Sequence, residues 1–391
     1  GRSWSGESGA WGLHLKSSQP ILVRRRAQAG AQEASLSRST PTFELPPAVP
    51  VLGIGTDSHA VTWLGEPAAD VLIAEARDAG LPLGEGTEDR VTLTPGGLAT
   101  RAAFEAFVEA SGGIAGDVVG TLAEPCARWA CEPAFGSPVQ LVRLRGGGRA
   151  TPDRLAAAEV IEVPVDSRPF EIPLLDEVGG RTETLHGSAA LVISAQTFAG
   201  VLWANLMGLG PRLFQTLPGP AGTRPLRLAL AAIRAGSTDP ERLGAKLVSR
   251  GSDVHVHPSA VVEASVLMDG AVVDAGAIVR HSIIGPGARV EPQGLCLGSV
   301  LGPGAVLQRR GFVTYGMLDR DAVCGGTLQL GYVGPGAQLK VGALLLDQVL
   351  GGPVRVSVDG TLHDAPLGVL GAALGARSVV GARVTVAAGR V

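Results

Sequence analysis

Tyrosine occurs only twice in this chain of 391 residues, and aromatic residues together make up 4% of it. A globule with an irregular core normally fills its gaps with Phe, Tyr and Trp, so this scarcity points to an interior that is regular and narrow. Charge is sparse too, at 18%, and nearly balanced at a formal net charge of -3. That balance excludes the basic footprint of a nucleic-acid binder. Cysteine is limited to Cys126, Cys131, Cys296 and Cys324, too few and too scattered for a disulfide framework. Cys126 and Cys131 lack a second ligand pair, so no metal site is expected, and reduced, buried thiols in a cytoplasmic protein follow as the simplest reading.

A clean membrane span is also missing. Ser188–Pro211 contains no Asp, Glu, Lys or Arg and is long enough to cross a bilayer. Ser194, Gln196, Thr197 and Asn205 dilute it, however, and Gly200, Gly208 and Gly210 weaken it as one helix. Phe198, Val201, Leu202, Leu206 and Leu209 fall at helical spacing, which predicts a strand at Ala190–Ile193 and then a buried helix, with no membrane association. The chain starts at Gly1 rather than Met and ends inside a repeat, as a fragment would, and no signal-peptide pattern remains in it.

Glycine is what the sequence has in excess, with 56 residues, roughly twice the usual ~7%. Much of it falls in a recurring phrase. Ser265-Val266-Leu267 precedes Gly270-Ala271, Ser282-Ile283-Ile284 precedes Gly287-Ala288, and Ser299-Val300-Leu301 precedes Gly304-Ala305, each seventeen residues after the last. Small apolar residues recur within each period at steps of six, six and five: Val256, Val262, Leu267, Val273, Val279, Ile284, Val290, Cys296, Leu301, Leu307, Val313 and Leu318. Three short strands per coil, each pointing one apolar side chain inward, make a triangular prism whose side chains stack on their equivalents above and below. Gly285-Pro286-Gly287, Gly302-Pro303-Gly304 and Gly334-Pro335-Gly336 supply its corners.

These phrases resemble the hexapeptide-repeat superfamily of acyltransferases and related proteins, over about Val254–Leu346 and again from Leu374. The resemblance implies a left-handed parallel β-helix and a homotrimer with sites between neighbouring prisms. Between the two runs, Val354, Val356 and Val358 alternate with polar residues up to Asp359-Gly360, a hairpin signature for a loop projecting from the coil near residues 351–366.

The remainder divides into an irregular segment over 1–50, with a strand expected at Ile21–Val23 and a basic run at Arg24–Arg26, and an α/β domain over 51–250, ahead of the β-helix at 251–391. In the α/β domain, Val51–Ile54, Arg90–Leu93 and Asp117–Leu122 read as strands. Ala68–Ala79 and Ala99–Ala110 read as helices. That alternation predicts a largely parallel sheet. Two further helices, Leu226–Ala235 and Glu241–Lys246, lead into the solenoid.

An α/β domain followed by a hexapeptide helix resembles the sugar-phosphate nucleotidyltransferases, among them the bifunctional N-acetylglucosamine-1-phosphate uridyltransferase and glucosamine acetyltransferase. Their Gly-rich loop is matched in Leu52-Gly53-Ile54-Gly55-Thr56, so Gly53, Gly55 and Thr56 are the nucleotide-binding candidates. Asp57 stands where that loop carries arginine, and no Pro-Lys pair follows. The nucleotidyltransferase-like site therefore looks degenerate.

The resemblance also implies acyl transfer with a histidine as general base. His281, just before a corner, is the catalytic candidate, and Arg309 and Arg310, two cations in one turn, are the anion-binding candidates. No trimer-interface metal site is expected, because the equivalents of His281 one coil to either side are Ala264 and Gly298. Three functions stay open: a transferase of sugar-nucleotide metabolism that binds acyl-coenzyme A or a nucleotide sugar, a silent ligand-binding or regulatory protein, and a structural trimer.

Overall fold

A computed structural model describes residues 40–52, 54–84, 89–174, 181–215, 247–349 and 351–391. The expected strand at 21–23, the basic run at 24–26, Gly53 and the two helices within 226–246 lie outside the described residues.

The C-terminal half is a parallel β-solenoid of three sheets with seven strands each. On the first face Leu267, Ile284, Leu301, Leu318, Val333 and Leu374 stack in register. Val256, Val273, Val290, Leu307, Cys324, Leu339 and Val380 stack on the second. Val262, Val279, Cys296, Val313, Leu328, Leu345 and Val386 stack on the third. The expected six-six-five columns are therefore the interior, and most of their members are fully buried. Each coil turns its corners through residues of positive φ. One such row is Ala264, His281, Gly298, Tyr315 and Leu330, with φ of 44, 48, 54, 48 and 46°.

The α/β part is built on a five-stranded sheet: β1 (Thr42–Phe43), β2 (Arg90–Leu93), β3 (Val118–Leu122), β4 (Leu141–Leu144) and β5 (Glu159–Val163), in spatial order β1-β2-β4-β3-β5. It is mixed rather than largely parallel, since β4 runs antiparallel to both β2 and β3. Between β3 and β4 the chain makes only a single helical turn (Arg128–Cys131) and a 3-10 turn (Pro133–Phe135), not the helical crossover that a parallel connection needs.

Helices α1 (Ala68–Asp78) and α2 (Arg101–Ser111) pack together, and α3 (Phe198–Gln215) follows the strand Val192–Ser194. The start of α2 lies beyond Ala99 because Gly97–Ala99 pairs as a strand with Val192–Ser194. Within α3, Phe198, Val201, Leu202, Trp203 and Asn205 are buried. Among the described residues no helix is long and apolar enough to cross a membrane. The aromatic side chains cluster here, with Trp129 stacked on Trp203 at 5.3 Å and Phe43 edge-on to Phe104 at 5.4 Å.

The two halves share one core. Val266, Ile283, Val300, Met317 and Tyr332, the outward-facing residues of the first solenoid face, are buried in the same hydrophobic cluster as the α/β core. The hairpin, with strands Arg355–Val358 and Thr361–Asp364, does not project freely. Val354, Val356 and Val358 are buried in that same cluster, which is why they alternate with exposed neighbours.

Candidate functional site

His281 occupies the corner where the third face passes into the first. Its amide donates to Glu263 O at 3.1 Å, one coil back. Behind the corner runs a column of fully buried serines. Ser265 Oγ accepts from the Ser282 amide at 3.2 Å, and Ser282 Oγ accepts in turn from the Ser299 amide at 3.2 Å. Each serine hydroxyl donates to the backbone carbonyl two residues earlier. The repeated serine thus fixes the backbone at the left-handed position before it, and His281 is held there.

Beside it Arg280 Nε and Glu263 Oε2 pair at 2.8 Å. His281 is exposed, yet partial desolvation by the surrounding turns lowers its pKa below the ordinary 6.5, Glu263 pulling it back up and Arg280 adding to the lowering. That shift favours the neutral imidazole, the form that accepts a proton. One coil further on, a Cβ on Gly298 would lie 2.6 Å from the Tyr315 ring. The ring therefore leans back across that corner toward the coil bearing His281, and burial raises its phenol pKa.

Arg309 and Arg310 are exposed at another corner, between the second and third faces. Arg310 Nε donates to Gln293 Oε1 at 2.9 Å, and the Arg309 amide donates to Glu291 Oε2 at 2.9 Å. The structure brings neither arginine together with His281.

Gly55 and Thr56 lie in a tight turn, not at the end of a strand. Val51 N donates to Thr56 O at 2.9 Å, Ile54 N donates to Val51 O at 3.1 Å, and Gly55 has φ +77°. The strand expected at Val51–Ile54 is reduced to a single bridge between Leu52 and Thr197, because the chain must reverse at once to close this turn. The turn packs on the last coils of the solenoid, where Ala376 N donates to Ile54 O at 2.5 Å. Asp57 caps the next turn, accepting from the His59 and Ala60 amides at 3.0 and 2.9 Å.

A polar cluster that sequence reading missed joins the two halves. Asp319 is fully buried and accepts from Thr62 Oγ1 at 2.5 Å, from Thr62 N at 3.1 Å, from Arg320 N at 2.6 Å and from the Tyr332 hydroxyl. Burial raises its pKa, and the hydrogen bonds from Thr62, Tyr332 and the Arg320 amide oppose the rise. Asn205 of α3 holds the same loop, accepting from Leu64 N at 2.7 Å and donating to Thr62 O at 3.0 Å. The one local sign of this cluster is that Asp319 stands where other coils have Gly285, Gly302 and Gly334. Among the described residues no group of three His, Cys, Asp or Glu is placed to hold a metal ion.

No protein-family model matches the chain, and no curated protein matches it. Among solved structures it is similar to the acetyltransferase domain of PglB from Neisseria gonorrhoeae FA1090, with 26% identity over 25% of this chain and a TM-score of 0.16. The match spans 47% of that structure, so the chain covers about half of its length. The C-terminal half is a hexapeptide-repeat β-solenoid. That statement rests on the stacked registers of the three faces, and an α/β domain covers one of those faces.

Proposed function

We propose that the protein is a transferase of sugar-nucleotide metabolism that moves an acyl group at the solenoid surface, with His281 as general base. The observation that carries this reading is an imidazole exposed on a rigid corner and backed by the serine column. In the reaction His281 takes the proton of an acceptor hydroxyl or amine as that atom attacks the carbonyl of acyl-coenzyme A. The carbon–sulfur bond then breaks, and the proton passes to the departing thiolate. A nucleotide sugar is the acceptor class that goes with the α/β domain, and Arg309 and Arg310 are candidates to hold a phosphate of either ligand.

A homotrimer belongs to the same proposal, a neighbouring prism forming the other wall of the site. The third face supports it: Ile278, Leu295, Phe312 and Leu344 point outward there and are only half-buried. The free thiols Cys126, Cys131, Cys296 and Cys324 fit a cytoplasmic setting.

The test is release of coenzyme A thiol from acetyl-coenzyme A with nucleotide sugars as acceptors, alongside native mass spectrometry. His281→Ala is expected to abolish turnover and keep the assembly; retained turnover would remove His281 from the mechanism. A second reading, a catalytically silent ligand-binding or structural scaffold, is favoured by the Gly55–Thr56 turn, which is used for packing against Ala376. Stable assembly with neither turnover nor retained acyl-coenzyme A or nucleotide sugar would select it.

A further inference from the structure

The hairpin that interrupts the last coils has an inner face of two different characters. Val356 is paired with His363 and Val358 with Thr361, and directly opposed residues of an antiparallel pair point to the same side. Val356 and Val358 are buried in the α/β core. His363 and Thr361 therefore lie on the same side of the hairpin, His363 half-buried and Thr361 exposed at the rim. Beside them lies an open cleft of about 330 Å³, bordered on the other side by the segment from Cys131 to Pro138, at the low end of the size range of small-molecule sites.

The floor of the cleft is held in place. Gln196 Oε1 accepts from Ser137 N at 3.0 Å and Gln196 Nε2 donates to Pro95 O at 2.9 Å. Gly136, at φ +108°, leaves room for the Gln196 side chain. Pro133, Pro138 and Val358 supply apolar surface, and Ser137, Asp359, Thr361 and His363 supply donors and acceptors.

We propose that this cleft binds a hydroxyl-rich small molecule, the size of a single sugar ring, that carries no phosphate or other anionic group. Hydroxyl pairs suit the Asp359 carboxylate, which accepts, and the Ser137 and Thr361 hydroxyls, which both donate and accept. The C–H face of a ring suits the proline surface. Anions are disfavoured, because no Arg or Lys is among the described residues lining the cleft and Asp359 is. Cys131 is exposed, unlike the buried thiols expected from the sequence, because it ends a single helical turn at the cleft edge. Partial desolvation, then Glu124, raises its pKa and favours the protonated thiol.

This site is independent of His281. It is tested by saturation-transfer NMR on the full chain with glucose, glucosamine and glucose 1-phosphate as probes. Glucose and glucosamine are expected to bind, and glucose 1-phosphate at least about tenfold more weakly, the loss expected when a charge is left unpaired against a carboxylate. Ser137→Ala and Thr361→Val, on opposite walls of the cleft, are each expected to weaken binding by about five- to tenfold with unchanged melting temperatures. No response to glucose or glucosamine overturns the proposal, as does tighter binding of glucose 1-phosphate or binding that both variants leave intact.

Discussion

Asp319→Ala is the substitution that most directly tests how the two halves are joined. The carboxylate serves donors from both sides of the interface, Thr62 N–H and O–H from the α/β domain and Tyr332 O–H and Arg320 N–H from the solenoid. Removing it leaves these donors facing a small void. The substitution leaves no charge unpaired, but each buried donor left without an acceptor costs about 1–3 kcal/mol if it stays dry. Two effects reduce the loss. Water entering the space restores some hydrogen bonds, and the cost of burying the charge, which is what raises the Asp319 pKa, disappears with the carboxylate. A net loss of about 3 kcal/mol results, roughly a hundredfold in the folding equilibrium.

Urea unfolding followed by tryptophan emission reads this change. Trp63 is fully buried beside Thr62, and its indole N–H donates to Ala204 O at 3.3 Å. The midpoint is expected to fall, with Asp319→Asn falling less because the amide keeps one acceptor oxygen. The sign of the pH dependence follows from the raised pKa. Ionised Asp319 costs stability above its folded pKa, and that cost is relieved as pH falls through the folded pKa toward the ordinary 3.8. An Asp319→Ala midpoint indistinguishable from the parent would refute the view that this carboxylate holds the interface.

Three further outcomes are expected. Leu301→Asp puts a lone carboxylate into the fully buried first-face column, so the strand signal in circular dichroism should be lost; an unchanged spectrum would disprove the stacking register. Gly298→Ala meets a φ of +54° and the Tyr315 ring at 2.6 Å, which should lower stability by about 1–3 kcal/mol in thermal unfolding, whereas Gly210→Ala, with open space around its Cβ position, should not. The Arg154 hydrogen bonds lower the Asp117 pKa, burial opposing them. The stabilisation from this pair is thus present above the unfolded value of 3.8 and lost as pH falls through the folded pKa. Asp117→Asn should flatten the acid limb of the stability curve, and an unaltered limb would show that the pair contributes nothing there.

The solenoid was legible because its information is periodic: each inward residue is repeated at a fixed step, and the steps from Val256 to Leu318 predict their own partners. Helix α1 and strand β2 were legible from local pattern for a similar reason. The mixed polarity of the sheet was not, since the direction of β4 depends on how the chain packs between β3 and β4, and neither strand's composition encodes it. The Thr62–Asp319 contact spans 257 positions and left a single local mark, an aspartate in a glycine's place. His281 was found as a corner residue, but the serine column that immobilises it had been read only as part of the repeat phrase.

That single aspartate also bears on how the domains find one another. A solenoid face is repetitive, so an apolar surface laid on it would gain nearly the same burial after sliding by one coil. Val266, Ile283, Val300 and Met317 are close to interchangeable in this respect. Glycine at Gly302 admits the Thr62 side chain, whose Oγ1 would lie 2.5 Å from any Cβ there, but Gly285 and Gly334 offer the same gap one coil to either side of the Gly302–Asp319 pair. Met268 and Tyr332 mark their coils by bulk, but Asp319 is the one charged residue at that position among the described coils. Shifting Thr62 by one coil either way leaves the carboxylate buried without the two Thr62 donors, a penalty of several kcal/mol, while the aligned position satisfies it. Hydrophobic burial thus supplies the affinity of the α/β domain for the first face, and one buried charge sets its position along the prism, much as a single polar residue fixes register in an otherwise uniform coiled coil.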